Sequence, residues 1–173
     1  MQHLAKRFGT LGLATAIAAI VTTASAGLKV GSDFPNLASF QFEGELPADL
    51  AGKVVMVDFW ASWCGPCKKS FPVLDELQKQ FGGQGLVIVA VNEDQKKSDM
   101  NHFLKENKVS FTVVRDAAPD GKKLVDKVDV STMPSTFIID AAGKVRFIHR
   151  GFQGAETKKE FEQEIESLLK GTK

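Results

Sequence analysis

The sequence predicts an α/β protein with a central mixed β-sheet flanked by helices, and three observations predict it. Short apolar runs rich in β-branched residues alternate with segments whose apolar residues recur at helical spacing, the pattern of parallel crossover units. Near the C-terminus, two strand-like runs flank a glycine-bearing turn, which adds an antiparallel pair to the sheet. The chain has 173 residues, 43% of them hydrophobic, which suits one domain with a real core and excludes the compositions of disordered or collagen-like chains.

In chain order, residues 1–26 read as a signal peptide. A basic start ends at Lys6-Arg7, an apolar stretch runs from Phe8 to Val21, and Ala24-Ser25-Ala26 matches a small-residue cleavage pattern. Because no charge falls between Arg7 and Lys29, an uncleaved segment would be long enough to anchor the chain in a membrane. Either outcome places residues 27–173, read as the folded domain, in a periplasmic or otherwise extracytoplasmic space where a cysteine pair can persist as a disulfide. The formal net charge of +1 would become about −1 on loss of Lys6 and Arg7, with acids and bases interspersed, so nothing indicates nucleic acid.

Gly27 to Gly52 mixes short apolar pieces with turn formers and is read as an N-terminal hairpin or strand pair. Val54 to Trp60 is a continuous apolar run, as in a strand buried on both faces. Phe71, Leu74, Leu77 and Phe81 then mark a helix stopped at Gly82-Gly83. Leu86 to Val91 predicts a second buried strand, Met100, Phe103 and Leu104 a helix, and Phe111 to Val114 a third strand. Leu124, Val125 and Val128 suggest a short helix. Ser135 to Ile139 and Val145 to His149 form the hairpin around Asp140–Lys144. A last helix follows Gly154, with Phe161, Ile165, Leu168 and Leu169 on one stripe.

After the signal, the two cysteines, Cys64 and Cys67, are separated only by Gly65-Pro66. A disulfide closing so short a loop restricts the unfolded chain very little, so a purely stabilising role fits poorly. Structural zinc needs four ligands, and His102 and His149 stand at no zinc-finger spacing. No metal site is therefore assigned, although two soft thiolates can hold Cu(I), and copper delivery stays open as the alternative role. Redox chemistry fits best. Cys64 falls at the start of a helix, where free N–H groups and the helix dipole favour the thiolate. Lowering a cysteine pKa from about 8.5 to about 7 is worth ~2 kcal/mol and brings roughly half of the thiol into reactive form at neutral pH. Cys64 is thus assigned as an exposed attacking nucleophile and Cys67, one turn inward, as the resolving thiol.

Val57 to Lys68, with Trp63-Cys64-Gly65-Pro66-Cys67 at its centre, resembles the active-site segment of the thioredoxin superfamily, and Met133-Pro134 followed by Ser135 to Asp140 resembles that family's cis-proline loop and next strand. The resemblance implies a thioredoxin fold with no cofactor beyond a redox-active Cys64–Cys67 disulfide. It implies substrate contact through Trp63, Gly65, Pro66, Met133 and Pro134, with Pro134 cis and its loop pairing with an extended substrate. Gly151 looks like the glycine near the substrate groove, or else is local punctuation, and Pro72 matches a helix-kinking proline. The export signal, the N-terminal β extension and the strand-helix insertion between Val91 and Phe111 make the chain similar to the TlpA-like and ResA-like reductases from about Phe34 onward. That group implies exported disulfide-bonded proteins as substrates and a membrane thiol:disulfide electron donor as partner. Two departures stand out: Ser70 replaces a glutamate of ResA-like proteins, and the cis-proline loop lacks the Gly-Ala-Pro form of dedicated cytochrome-maturation thioredoxins. Asp58 matches the buried acid of thioredoxin. In a buried strand its pKa should rise, and it could take the proton of Cys67. Ser70 and a buried water are candidates to carry that proton onward.

Overall fold

The computed structural model describes residues 27–171, so the signal-peptide reading falls outside the described residues. Six strands form one mixed sheet: β1 (Phe42–Glu43), β2 (Val54–Trp60), β3 (Leu86–Asn92), β4 (Thr112–Asp116), β5 (Ser135–Ile139) and β6 (Val145–Arg150). Their order across the sheet is β1-β4-β3-β2-β5-β6. The central β2, β3 and β4 are parallel, while β5, β6 and β1 join antiparallel. Four helices connect or cover them: α1 (Gly65–Phe81), α2 (Lys97–Glu106), α3 (Leu124–Lys127) and α4 (Ala155–Gly171). Between Val91 and Phe111 the chain forms the helix α2, and β4, which follows it, docks on the outer side of β3. Among the described residues, no helix is long and apolar enough to cross a membrane.

Every residue of β2 is buried, because its two faces meet two separate cores. Met56 and Trp60 face a core with Phe71, Leu74 and Leu77 of α1, Phe103 of α2, and Phe161 and Ile165 of α4. Val55, Val57 and Phe59 face the other, with Val89, Val91, Phe137, Val145 and Leu124. Trp60 anchors the first: its ring centroid lies 4.4 Å from that of Phe71 and 5.1 Å from that of Phe103, close aromatic contacts at the short end of favourable pairing.

The N-terminal region corrects one expectation. Residues 27–52 do not pair with each other as a hairpin. Asp33 bridges to Lys144 beside β6, a short 3-10 turn spans Leu37–Ser39, and β1 crosses to the opposite edge to pair with β4. The segment therefore straps the second core, with Phe34 packed 5.6 Å from Phe137. At two residues, β1 has too little length for a hairpin of its own.

At the β5–β6 turn, Gly143 adopts φ +80°, which glycine alone adopts without steric cost. Asp140 closes the turn by accepting from the N–H groups of Ala142 and Lys144, both at 3.0 Å.

Candidate active site

β2 ends inside the core and a three-residue loop, Ala61-Ser62-Trp63, delivers the chain to α1. Cys64 is the N-cap of that helix, in extended conformation, and Pro66 occupies the first turn, where its missing N–H costs nothing. Cys64 and Cys67 are joined in a disulfide. The Cys67 N–H donates to Cys64 Sγ at 3.2 Å, so a helix N-terminal donor is directed at that sulfur, a position that favours a negative charge. Cys67 is fully buried, and Cys64 is only 5% exposed. The expectation of an exposed Cys64 is thus corrected for the oxidised form: the disulfide tucks its sulfur against the core, and Trp63 beside it, 70% exposed, offers the open surface. Gly65 and Pro66 are exposed as well.

The Met133–Pro134 peptide bond is cis, and Met133 packs against the core cluster that contains both cysteines. Pro134 directly precedes β5, whose Ser135 is paired with Phe59 of β2, so the register brings this loop to the end of the sheet from which Cys64 emerges. Gly151 belongs to the same end. Its N–H donates to the Pro134 carbonyl at 2.7 Å and its φ is +87°, so the glycine braces the cis-proline loop. Pro72 lies within α1, where it removes a donor from the helix ladder.

Asp58 lies on the α1 side of the sheet, sharing that face with Met56 and Trp60. It is 1% exposed, and burial pushes its pKa up to about 7 against the pull of one hydrogen bond from Thr136. The Thr136 hydroxyl donates to Oδ1 at 2.6 Å, whereas Oδ2 is buried with no hydrogen-bond partner. Thr136 stands opposite Asp58 in the β2–β5 register; the sequence contains both residues but not the register that joins them. Ser70 does not fill the relay position, because its hydroxyl donates to the carbonyl of Cys67 at 2.9 Å and so serves the helix backbone. Glu93, just past β3, is a second acid that sequence reading passed over. Burial and the neighbouring Asp116 push its pKa up to about 8, against the attraction of Lys123.

A buried disulfide at a helix N-terminus, a cis-proline loop at the same sheet end and an acid inside the adjoining strand define a thioredoxin-fold thiol:disulfide oxidoreductase. Residues 29–165 match the Redoxin family, and the chain belongs to that family. It is 43% identical over 118 residues to the thiol-disulfide oxidoreductase ResA of Bacillus subtilis, covering 66% of this chain and 64% of that relative. With ResA of Geobacillus thermodenitrificans it shares 32% identity across 84% of this chain and 82% of the relative. Among solved structures, a thiol:disulfide interchange protein DsbE of Chlorobium tepidum superimposes with a TM-score of 0.73 at 38% identity, covering 83% of this chain and 99% of the other. StoA of Bacillus subtilis superimposes with a TM-score of 0.56 at 29% identity, over 65% of this chain and 84% of that one.

Proposed function

We propose that this protein reduces disulfides of exported proteins on the outer side of the cytoplasmic membrane and is recharged by a membrane thiol:disulfide donor. The observation that carries this reading is the Cys64–Cys67 disulfide capping α1, with the Cys67 N–H directed at Cys64 Sγ. In the reduced protein, the Cys64 thiolate attacks one sulfur of a substrate disulfide, and the other substrate sulfur leaves as a thiolate. The Cys67 thiol then gives its proton to the Asp58 carboxylate and attacks Cys64 Sγ. The second substrate thiolate departs and the Cys64–Cys67 disulfide forms. Substrate gains two electrons and the protein loses two. An acid held near pKa 7 suits this task, since a base works best when its pKa lies near the working pH. Trp63, Gly65, Pro66, Met133 and Pro134 form the contact surface, and Gly151 supports it.

Reduction of insulin by residues 27–173, with dithiothreitol as donor, should run well above the rate of dithiothreitol alone; no acceleration would refute the dithiol role. Cys67→Ser should accumulate mixed disulfides through Cys64, and adducts on Cys64→Ser instead would reverse the two assignments. Direction in the cell is read by thiol trapping: a pair found mostly reduced supports the reductant, and a pair found mostly oxidised turns the reading to an oxidase. Fractionation of the same cells tests the export of the chain.

A further inference from the structure

The loop between β2 and α1 decides where Cys64 starts the helix, and it is held from outside. Within the loop, the Cys64 N–H donates to the Ala61 carbonyl at 3.0 Å. The main external hold is Asp94, 32 residues from Ser62 in the chain and 3% exposed. Its carboxylate accepts from the Ser62 N–H at 3.1 and 3.2 Å, from the Ser62 hydroxyl at 3.0 Å and from the Asn92 side-chain amide at 2.9 Å. Asp94 is itself fixed. Its N–H donates to Asn92 Oδ1 at 3.0 Å, and its carbonyl accepts from Arg115 at 3.1 Å. Arg115 in turn forks onto Glu43 of the edge strand β1, at 2.8 and 3.3 Å. A continuous hydrogen-bonded chain therefore runs from the sheet edge to the residue two before the nucleophile.

We propose that Asp94 is a positioning residue for Cys64. By holding both donors of Ser62, it fixes the loop in the one path that brings Cys64 into α1 as the N-cap, with Sγ in line with the Cys67 N–H. It does not touch the sulfur. Its effect passes through backbone placement, because the stabilisation of a thiolate by a helix terminus falls off within the first turn. A loop released from Asp94 leaves the Ser62 N–H unpaired, and the chain relaxes to satisfy it. Cys64 then loses its alignment with the Cys67 N–H.

The proposal rests on Cys64 being the nucleophile, and its test reports on both. In the whole reduced chain, the rate of iodoacetamide alkylation is measured from pH 5 to pH 10, with the modified cysteine identified by mass spectrometry. Asp94→Ala should lower the rate at pH 7 about fivefold, move the midpoint up by about one pH unit and leave the high-pH plateau unchanged. Asp94→Asn keeps one oxygen for Ser62 but turns its own amide donor toward the Asn92 amide, so it should move the midpoint in the same direction as Asp94→Ala, by less. Ser62→Ala loses one bond and should shift the midpoint in the same direction as Asp94→Ala, by less. It supplies the answer if Asp94→Ala does not fold. An unmoved midpoint in Asp94→Ala, accompanied only by easier unfolding, would overturn the proposal, as would an unmoved midpoint in Ser62→Ala. Alkylation falling on Cys67 would overturn both the proposal and the nucleophile assignment.

Discussion

Asp58 and Glu93 are both carboxylic acids removed from water, but they lie on opposite faces of the sheet and are held up by different means. Asp58 has a single hydroxyl donor and, among the described residues, no cation beside it; burial, against the pull of that donor, sets its pKa near 7. Glu93 has a cation, with Lys123 Nζ at 3.4 Å, yet reaches about 8 because Asp116 adds like-charge repulsion to burial. A raised pKa can thus arise from burial or from like charge, and by itself assigns no chemistry. What distinguishes Asp58 is that it faces α1, the helix that carries Cys67, whereas Glu93 sits among Asp116, Lys123 and Asp126 beside α3.

The largest expected effect separates the two acids by rate. Asp58→Asn should slow resolution of the mixed disulfide by about 10² fold while leaving the first attack by Cys64 nearly unchanged. Glu93→Gln should change neither step. Stopped-flow kinetics of the two steps would show it, and equal slowing of both steps by Asp58→Asn would end the proton-acceptor assignment.

Next in size is stability. Each folded-state pKa lies above its unfolded value, so the folded chain binds more protons than the unfolded chain between about pH 4 and the raised value. Stability should therefore fall as pH rises from about 5 to 8. Asp58→Asn should recover roughly 2–3 kcal/mol at pH 8 and almost nothing at pH 4, judged by denaturant unfolding. Glu93→Gln should behave alike, with its gain appearing at higher pH. A gain that is independent of pH would mean that charge burial is not the cause.

Two smaller tests sharpen the contrast. Thr136→Val removes the one donor that favours the Asp58 carboxylate, so the acid limb of the resolution rate should move up by roughly one pH unit. Lys123→Met removes the cation beside Glu93 and should cost about 1 kcal/mol above pH 8, with little change at pH 5.

Much of this fold is visible in the chain itself. The run Val54 to Trp60 is apolar at nearly every position because both faces of β2 are covered, and the cysteine spacing with its proline identifies the helix start. The stripe of Phe161, Ile165 and Leu169 likewise marks the buried side of α4. Residues 27–52 are illegible for the opposite reason. Their partners lie at two distant sheet edges, and local pattern carries no information about them. Within the site, the cysteines, the cis-proline loop and Asp58 are signalled by motif. Thr136 and Asp94 are not, because each acts across a register or over 32 residues. Glu93 escapes notice for a simpler reason: a charged residue at a strand end usually reaches solvent.

The brace between Gly151 and Pro134 bears on how many kinds of protein this molecule can serve. Pro134 has no N–H to offer, and its carbonyl is already occupied by Gly151. The Thr132 carbonyl is likewise occupied, by the Ser135 hydroxyl at 2.6 Å. Among the described residues, no backbone hydrogen bond engages the Met133 N–H or carbonyl, so both would be open to an extended chain laid along this loop. Under the proposed docking of an extended chain along this loop, two main-chain bonds to one residue would hold it without reading its side chains, and discrimination among clients would fall to the surface around Trp63.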